Sequence, residues 1–433
     1  MRYVSTRGGP AVPLEQAIMG GTAPDGGLYV PEQLPTYPPG AAPTAGPLPA
    51  VAIGLLRPFF AGSGLAPDLP AMAAEALDFP VPLRSLEPGA TGALSVLELF
   101  HGPTAAFKDV GARFLAAAMA RIVAGDADHR PATILVATSG DTGGAVAAAF
   151  HRRERLRVVV LFPTGRVSPR QQHQLTCWGD NVTSLAVDGS FDDCQRLVKD
   201  AFGDAGVNAR HRLCSANSIN VGRLLPQAAY YAHASLAHFA ATGQPSSFIV
   251  PTGNLGNAFA CVWARRLGMP IDRIVLATNA NATIRDFLAT GQWLPRPSLA
   301  TLASAMDVGN PSNMERLRHL AGDAEGVRAE VTVTGVDDDA IRATIVDEYR
   351  RHGLPWCPHT ATAFHAYRTL PAAEREGRHW IVVATAHAAK FDTIVEPLLG
   401  ITVPPPPELA ALLSLPSRFS TIPATLAALA GHL

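Results

Sequence analysis

Along most of this chain the hydrophobic positions fall into short continuous runs, each followed by a longer segment of small and mixed residues. Continuous apolar runs of strand length suit strands buried on both faces, and the segments between them have the length and opening residues of helices. The pattern predicts strands at Thr133 to Ala137, Arg157 to Phe162 and Val182 to Val187. They are followed in turn by an Ala-rich helix from Gly144, a helix opened by Ser168-Pro169 and a helix capped by Ser190. The alternation continues with Phe248 to Val250 and a helix from Leu255, Arg273 to Ala277 and a helix near Thr283, and Trp380 to Ala384 and a helix through Val395. A Ser before Pro or Asp in the first turn supplies an oxygen for an unsatisfied backbone N–H. An α/β protein with parallel sheets covered on both faces is therefore expected. Two regions depart from this rhythm. Residues 1–90 are broken by Gly and Pro clusters (Pro38-Pro39-Gly40, Pro43, Pro47, Pro49) and read as a loop-rich N-terminal section. The run Pro404 to Pro407 marks a change to a tail, read as a surface linker. No internal repeat is visible.

Length and charge narrow the class. A chain of 433 residues exceeds what one hydrophobic core serves, so two or three domains are expected. With 48% hydrophobic residues it is far from disordered. Its 35 basic and 36 acidic residues, for a net charge of −1, leave no polybasic field for nucleic acid or an anionic membrane. The start Met1-Arg2-Tyr3-Val4 lacks the apolar core of a signal peptide, and no apolar run approaches the roughly 18 to 20 residues of a membrane span. A cytoplasmic protein is expected. The five cysteines are scattered without a CxxC pair, which suits a reducing compartment. Cys357-Pro358-His359 and His365 have no second cluster at ligand spacing, so no metal is expected.

Of the 35 basic residues only Lys108, Lys199 and Lys390 are lysine; the other 32 are arginine. Where Arg is the habit, a Lys invites a chemical reason: an amine can lose its proton and attack a carbonyl, a guanidinium cannot. Lys108 opens a helix after an apolar strand and the turn Gly102-Pro103. An amine there suits a Schiff base with the aldehyde cofactor pyridoxal 5'-phosphate. The alternative, an exposed lysine at a helix start, sets its cation against the positive end of the helix dipole. Lys199 reads as part of a solvated helix face, and Lys390 fits either a group at the site or a structural contact.

Two strands run into small-residue loops that open helices: Ala137-Thr138-Ser139-Gly140-Asp141-Thr142-Gly143-Gly144 and Pro251-Thr252-Gly253-Asn254-Leu255-Gly256-Asn257. At the carboxyl end of a parallel strand such a loop turns its N–H groups and the helix start toward an anion. Neither matches the dinucleotide or P-loop fingerprints. Gly-rich turns of this kind are also ordinary in doubly wound sheets.

Assembled, these residues resemble the threonine synthase family, in its longer class with an extra N-terminal domain. The resemblance runs from Tyr3-Val4-Ser5-Thr6-Arg7-Gly8 to Thr385-Ala386-His387 and includes Phe107-Lys108-Asp109, Ser215-Ala216-Asn217-Ser218-Ile219-Asn220 with Arg223, and Pro358-His359-Thr360-Ala361. It implies the tryptophan-synthase-like fold of pyridoxal phosphate enzymes (fold type II): two parallel-sheet α/β domains with the cofactor in the cleft between them. The expected parts are an N-terminal domain over 1–90, a large domain over 91–128 and 215–400, a small domain over 129–214 and a tail over 401–433. By resemblance Lys108 is catalytic and holds the cofactor. Gly253, Asn254, Leu255, Gly256 and Asn257 would bind the cofactor phosphate, Thr385 the pyridine nitrogen, and Asp141 would face the phenolic oxygen. Ser139, Gly140, Asp141 and Thr142 would take the substrate carboxylate. Asn217, Ser218 and Arg223 are candidates for the leaving phosphate, against a reading as helix-start capping plus a structural arginine. The implied reaction converts O-phospho-L-homoserine and water to L-threonine and phosphate, in a monomer or homodimer. Rival readings are a serine/threonine dehydratase or cysteine synthase of the same fold, a catalytically silent binding protein on that scaffold and, more distantly, a dinucleotide-dependent oxidoreductase.

Overall fold

The structure, a computed structural model, describes residues 1–38, 40–87 and 93–433. Pro39 of the first proline cluster and the expected boundary at residues 90 and 91 lie outside the described residues. In chain order the strands are β1 (Tyr3–Ser5), β2 (Tyr29–Pro31), β3 (Leu83–Glu87), β4 (Leu94–Glu98), β5 (Ala132–Ala137), β6 (Leu156–Pro163), β7 (Val182–Asp188), β8 (Leu213–Cys214), β9 (Ser246–Pro251), β10 (Ile271–Thr278), β11 (Thr332–Gly335), β12 (His379–Ala384) and β13 (Ser420–Pro423). They form a two-stranded ribbon of β1 and β2, a six-stranded sheet in the order β11-β10-β9-β12-β4-β3 and a five-stranded sheet in the order β13-β7-β6-β5-β8. The five-stranded sheet is parallel throughout. In the six-stranded sheet only the edge strand β3 runs antiparallel.

Burial explains why the apolar runs were legible as strands. Every residue of β4, β5 and β9 is buried, as strands covered by helices on both faces require. The helix starts follow their caps. Ser168 accepts from the Gln171 N–H with Pro169 behind it, and Ser190 and Asp193 form a reciprocal capping box. Two helices begin away from their expected starts, at Asp141 rather than Gly144 and at Gly256 rather than Leu255. After β12 the chain makes a 3-10 turn, Ala388–Phe391, before the helix Asp392–Leu399.

Two expectations at the chain ends need correction. The N-terminal section contains the helices Leu14–Gly20, Leu48–Leu56 and Leu69–Ala76, and it shares one hydrophobic core with the helices Lys108–Gly125 and Gln227–Thr242. Phe60 meets Phe114 edge-on at 6.0 Å and Phe59 lies 5.8 Å from Trp263. Each buried aromatic of this kind contributes about 1.5–3 kcal/mol. Residues 401–433 are not a tail: they supply β13 to the edge of the five-stranded sheet, and Ile422 and Leu429 pack with Cys194 and Leu197. Among the described residues no helix is long and apolar enough to cross a membrane.

The topology places the chemistry. In the larger sheet β12 lies between β9 and β4, all three parallel, so the loops leaving their carboxyl ends meet on one edge. Those loops lead to Lys108, to Gly253 and to Thr385, and ligands of open α/β sheets gather at such a point.

Candidate active site

Lys108 is delivered by a loop pinned from both sides. Asp109, buried, accepts from the Thr104 N–H at 2.9 Å and the Thr104 hydroxyl at 2.7 Å. Burial pushes its carboxyl up in pKa, against the pull of those two hydrogen bonds. A Cβ on Gly102 would stand 2.6 Å from Asp109 Oδ2, so only glycine lets the turn close there. Ala105 adopts φ 54°, and the Phe107 N–H donates to the Thr385 carbonyl at 2.8 Å. Lys108 starts the helix and lines a cavity of about 1230 Å³. Burial pushes its amine down to about 8, with Asp141 opposing and Arg223 and Lys390 adding to the shift.

Across the cavity lies the loop after β5. The Thr138 hydroxyl accepts from the Gly140 and Gly143 N–H groups at 3.0 and 2.9 Å, and Gly140 takes φ 145°, open only to glycine. Ser139, Asp141 and Thr142 line the cavity, whereas Gly140 makes the turn and does not. Asp141 is paired with Lys390, not Lys108: Lys390 Nζ lies 2.9 Å from Asp141 Oδ1, and Gln171 Nε2 donates to the same oxygen at 2.9 Å. Burial raises the Asp141 carboxyl, but Lys390, Lys108, His359 and Gln171 outweigh it and hold the group well below the usual carboxylate range.

The loop after β9 is built from neutral groups. A Cβ on Gly253 would lie 2.6 Å from Met306 Cα, so the backbone there approaches the wall formed by Ser304–Met306 too closely for any side chain. Asn254 donates to Ser218 Oγ at 2.7 Å and accepts from the Ser312 N–H at 2.6 Å. Leu255 sits in the left-handed region at φ 63° with its side chain buried, turning the chain into the helix Gly256–Arg266. Asn257 Oδ1 accepts from the Tyr231 hydroxyl at 2.8 Å and also from Tyr230, while its Nδ2 is buried without a partner. Gly253, Asn254, Leu255, Gly256 and Asn257 all line the cavity, as does Thr385.

These residues fit pyridoxal phosphate. A helix start with an unpartnered amide donor suits a phosphate group. An amine depressed to about 8 suits an aldehyde, and a hydroxyl at the carboxyl end of β12 suits a ring nitrogen.

Asn217, Ser218 and Arg223 also line the cavity. Neither Asn217 nor Ser218 caps the helix Val221–Leu224, because Asn220 does so through the Gly222 N–H at 2.9 Å. Arg223 is buried, gives one N–H to the Ala216 carbonyl at 2.6 Å and leaves Nε without a partner; burial pushes it down to about 10 despite Asp109. Four participants escaped the residue-by-residue reading. His359, buried, accepts from the Ala305 N–H at 3.0 Å, and burial pushes its imidazole down to about 4. Gln171 holds Asp141, and Thr6 and Arg7 bring the N-terminal section to the cavity wall. His359 carried a signal in the Pro358-His359-Thr360 block, and Gln171 carried none. The third lysine, Lys199, is exposed as expected but stands at the cavity mouth.

The fold and site define a pyridoxal phosphate enzyme, and the family description "Pyridoxal-phosphate dependent enzyme" matches residues 78–386. "Threonine synthase N terminus" matches residues 2–77 and "Threonine synthase, C-terminal" matches residues 360–432. The threonine synthase of Serratia marcescens is 42% identical over 351 residues, 81% of this chain and 79% of that protein. The crystal structure of threonine synthase from Escherichia coli superposes with a TM-score of 0.87 at 36% identity, covering 100% of this chain and 99% of that one. That of the PLP-bound enzyme from Brucella melitensis gives 0.89 at 36% identity, covering 100% and 98%. The chain belongs to the threonine synthase family, and pyridoxal phosphate is its cofactor.

Proposed function

We propose that this cleft converts O-phospho-L-homoserine and water to L-threonine and phosphate, with Lys108 as the catalytic residue. One observation carries the assignment of Lys108: an amine held near about 8 lines the same cavity as the Gly253 loop and Thr385. When bound, pyridoxal phosphate supplies an aldehyde reactive toward amines and a ring that accepts the electrons of a carbanion. The chain supplies the rest. Gly253 to Asn257 hold the cofactor phosphate through backbone N–H groups and Asn257 Nδ2. The Thr385 hydroxyl meets the pyridine nitrogen, and a neutral partner leaves that nitrogen largely unprotonated. Ser139, Asp141 and Thr142 offer backbone N–H groups to the substrate carboxylate on the turn Gly140 makes, and the Asp141 side chain faces the phenolic oxygen.

An amine near about 8 is divided between its two forms close to neutral pH, so Lys108 is suited to act as general base toward the protons on substrate Cα and Cβ. Asn217, Ser218 and Arg223 steady the departing phosphate, a role favoured because Asn220 relieves the first two of capping. The same reading keeps an N-terminal domain over 1–90, a large domain over 91–128 and 215–400 and a small one over 129–214, to which β13 adds residues 420–423. It also keeps a monomer or homodimer working in the cytoplasm.

The test is borohydride reduction and peptide mapping, beside an assay of phosphate released from O-phospho-L-homoserine. A pyridoxyl group on the Lys108 peptide and stoichiometric phosphate are expected. Ammonia from serine without phosphate release would instead favour the dehydratase.

A further inference from the structure

Lys390 is fully buried and joins three segments that meet nowhere else in sequence. Its Nζ donates to the Thr104 carbonyl at 2.7 Å, four residues before Lys108, and pairs with Asp141 Oδ1 at 2.9 Å at the start of the helix after β5. Its own turn follows Thr385 by five residues and is tied to the helix Pro169–Thr176, where Arg170 donates to the Ala389 carbonyl at 2.7 Å. Gln174 from that helix reaches the same Thr104 carbonyl at 3.1 Å, and Gln171 the same Asp141 oxygen. A lone buried carboxylate beside a lysine would claim that lysine as its partner. Here the claim is met by a second lysine.

We propose that Lys390 is a positioning residue of the reaction: it occupies the Asp141 carboxylate and the Thr104 carbonyl, so that the Lys108 amine is left unpaired and available to the cofactor aldehyde. The proposal rests on the reading of Lys108 given above. The charged and titratable groups facing this cluster are Asp141 from the helix after β5, Arg223 from the helix Val221–Leu224, Asp109 beside Lys108, Cys357 and His359 at the start of the helix Pro358–Thr369, and His387 just before the turn of Lys390, which burial pushes down to about 4 and leaves neutral. Of these, His359 is neutral, its imidazole being pushed down to about 4 by burial, and the Cys357 thiol is pushed up by burial, so neither supplies charge near neutral pH. The local balance is three cations against two carboxylates. Removing Lys390 takes away a like charge and frees Asp141 to attract the Lys108 ammonium, so both effects favour the protonated amine.

The experiment follows loading of the cofactor-stripped full chain with pyridoxal phosphate, by the rate at which the visible band grows between pH 6 and 10. In the parent chain the rate should rise through a midpoint near about 8, as the Lys108 amine loses its proton. In Lys390→Gln, which keeps hydrogen-bonding atoms and removes the charge, the midpoint should move up by about one unit. Loading would then be about tenfold slower at pH 7 and within about twofold of the parent at pH 10. Lys390→Arg, which keeps the cation, should retain the parent midpoint. A Lys390→Gln curve lowered equally at every pH, or a Lys390→Arg midpoint displaced as far as that of Lys390→Gln, overturns the proposal. If Lys390→Gln does not fold, Asp141→Asn is compared with the double variant Asp141→Asn/Lys390→Gln, which leaves no unpaired charge; the midpoint should rise on losing Lys390, and an unchanged one overturns the proposal. Failure of the underlying reading looks different: the parent chain itself would then load without a pyridoxyl group on Lys108.

Discussion

The loop after β5 and the loop after β9 leave the carboxyl ends of parallel strands, open helices and line one cavity, yet only the first carries an ionisable group. In the first, Gly140 makes the turn and Asp141 needs a lysine from a distant segment to stay charged in a buried setting. In the second, Asn254 and Asn257 are amides, Gly253 lies against backbone, and the anion-binding capacity comes from the helix start and one unpartnered N–H. A neutral cradle is complete within its own sheet and its neighbouring wall. A charged one is complete only when the smaller sheet, the loop before Lys108 and the turn after β12 are all in place. The first loop should therefore report on how the sheets sit together, the second on cofactor phosphate alone.

The largest expected effect lies between the two loops. Lys108→Arg keeps a cation and removes the amine that stands with the Gly253 loop and Thr385, so turnover should fall by about a thousandfold or more with the fold intact by circular dichroism. Retained turnover would mean that neither loop serves Lys108. Asp141→Ala comes next, because it strands Lys390 as a buried unpaired cation: a loss of about 3–5 kcal/mol is expected, read as a lower midpoint in urea unfolding. A loss under about 1 kcal/mol would show that the charged loop does not depend on its partner segment.

Gly253→Ala drives a Cβ against the Met306 backbone, at an expected cost of about 1–3 kcal/mol concentrated in cofactor affinity, which equilibrium dialysis against pyridoxal phosphate reads. Unfolding without any change in cofactor affinity would break the division of labour between the loops. The smallest effect is expected from Asn257→Ala. It removes one donor toward phosphate but also leaves the Tyr230 and Tyr231 hydroxyls without their acceptor, so cofactor affinity should weaken by about tenfold, or about 1.4 kcal/mol.

How much of this could be read beforehand depended on the kind of signal. The parallel strands β5, β6, β7, β9, β10 and β12 were legible to within two residues because strands buried on both faces are apolar at nearly every position, as in β5 and β12, whereas the short β8 and β11 were not read. The Gly-rich loops were legible for a similarly local reason, since a left-handed turn selects for glycine. Gln171 was not legible: a glutamine in a helix says nothing until the Asp141 carboxylate is seen 2.9 Å away. Nor was β13, where a short segment beyond a proline run takes its place only because the edge of β7 is open to it. The N-terminal section misled because short helices between Gly and Pro clusters look like loops until Phe59 and Phe60 find Trp263 and Phe114.

By itself the sequence determined the fold class, the family and the amine: apolar runs, ordered motif blocks and a lysine among arginines are properties of adjacent residues or of composition. Only the tertiary structure decided which lysine pairs with which carboxylate. Lys390 is buried and Lys108 half-buried near Asp141, and their roles separate because Lys390 Nζ lies 2.9 Å from the carboxylate while Lys108 lines the cavity. That is a matter of distance between segments more than 240 positions apart, and in a low-dielectric interior distance governs which amine the carboxylate holds.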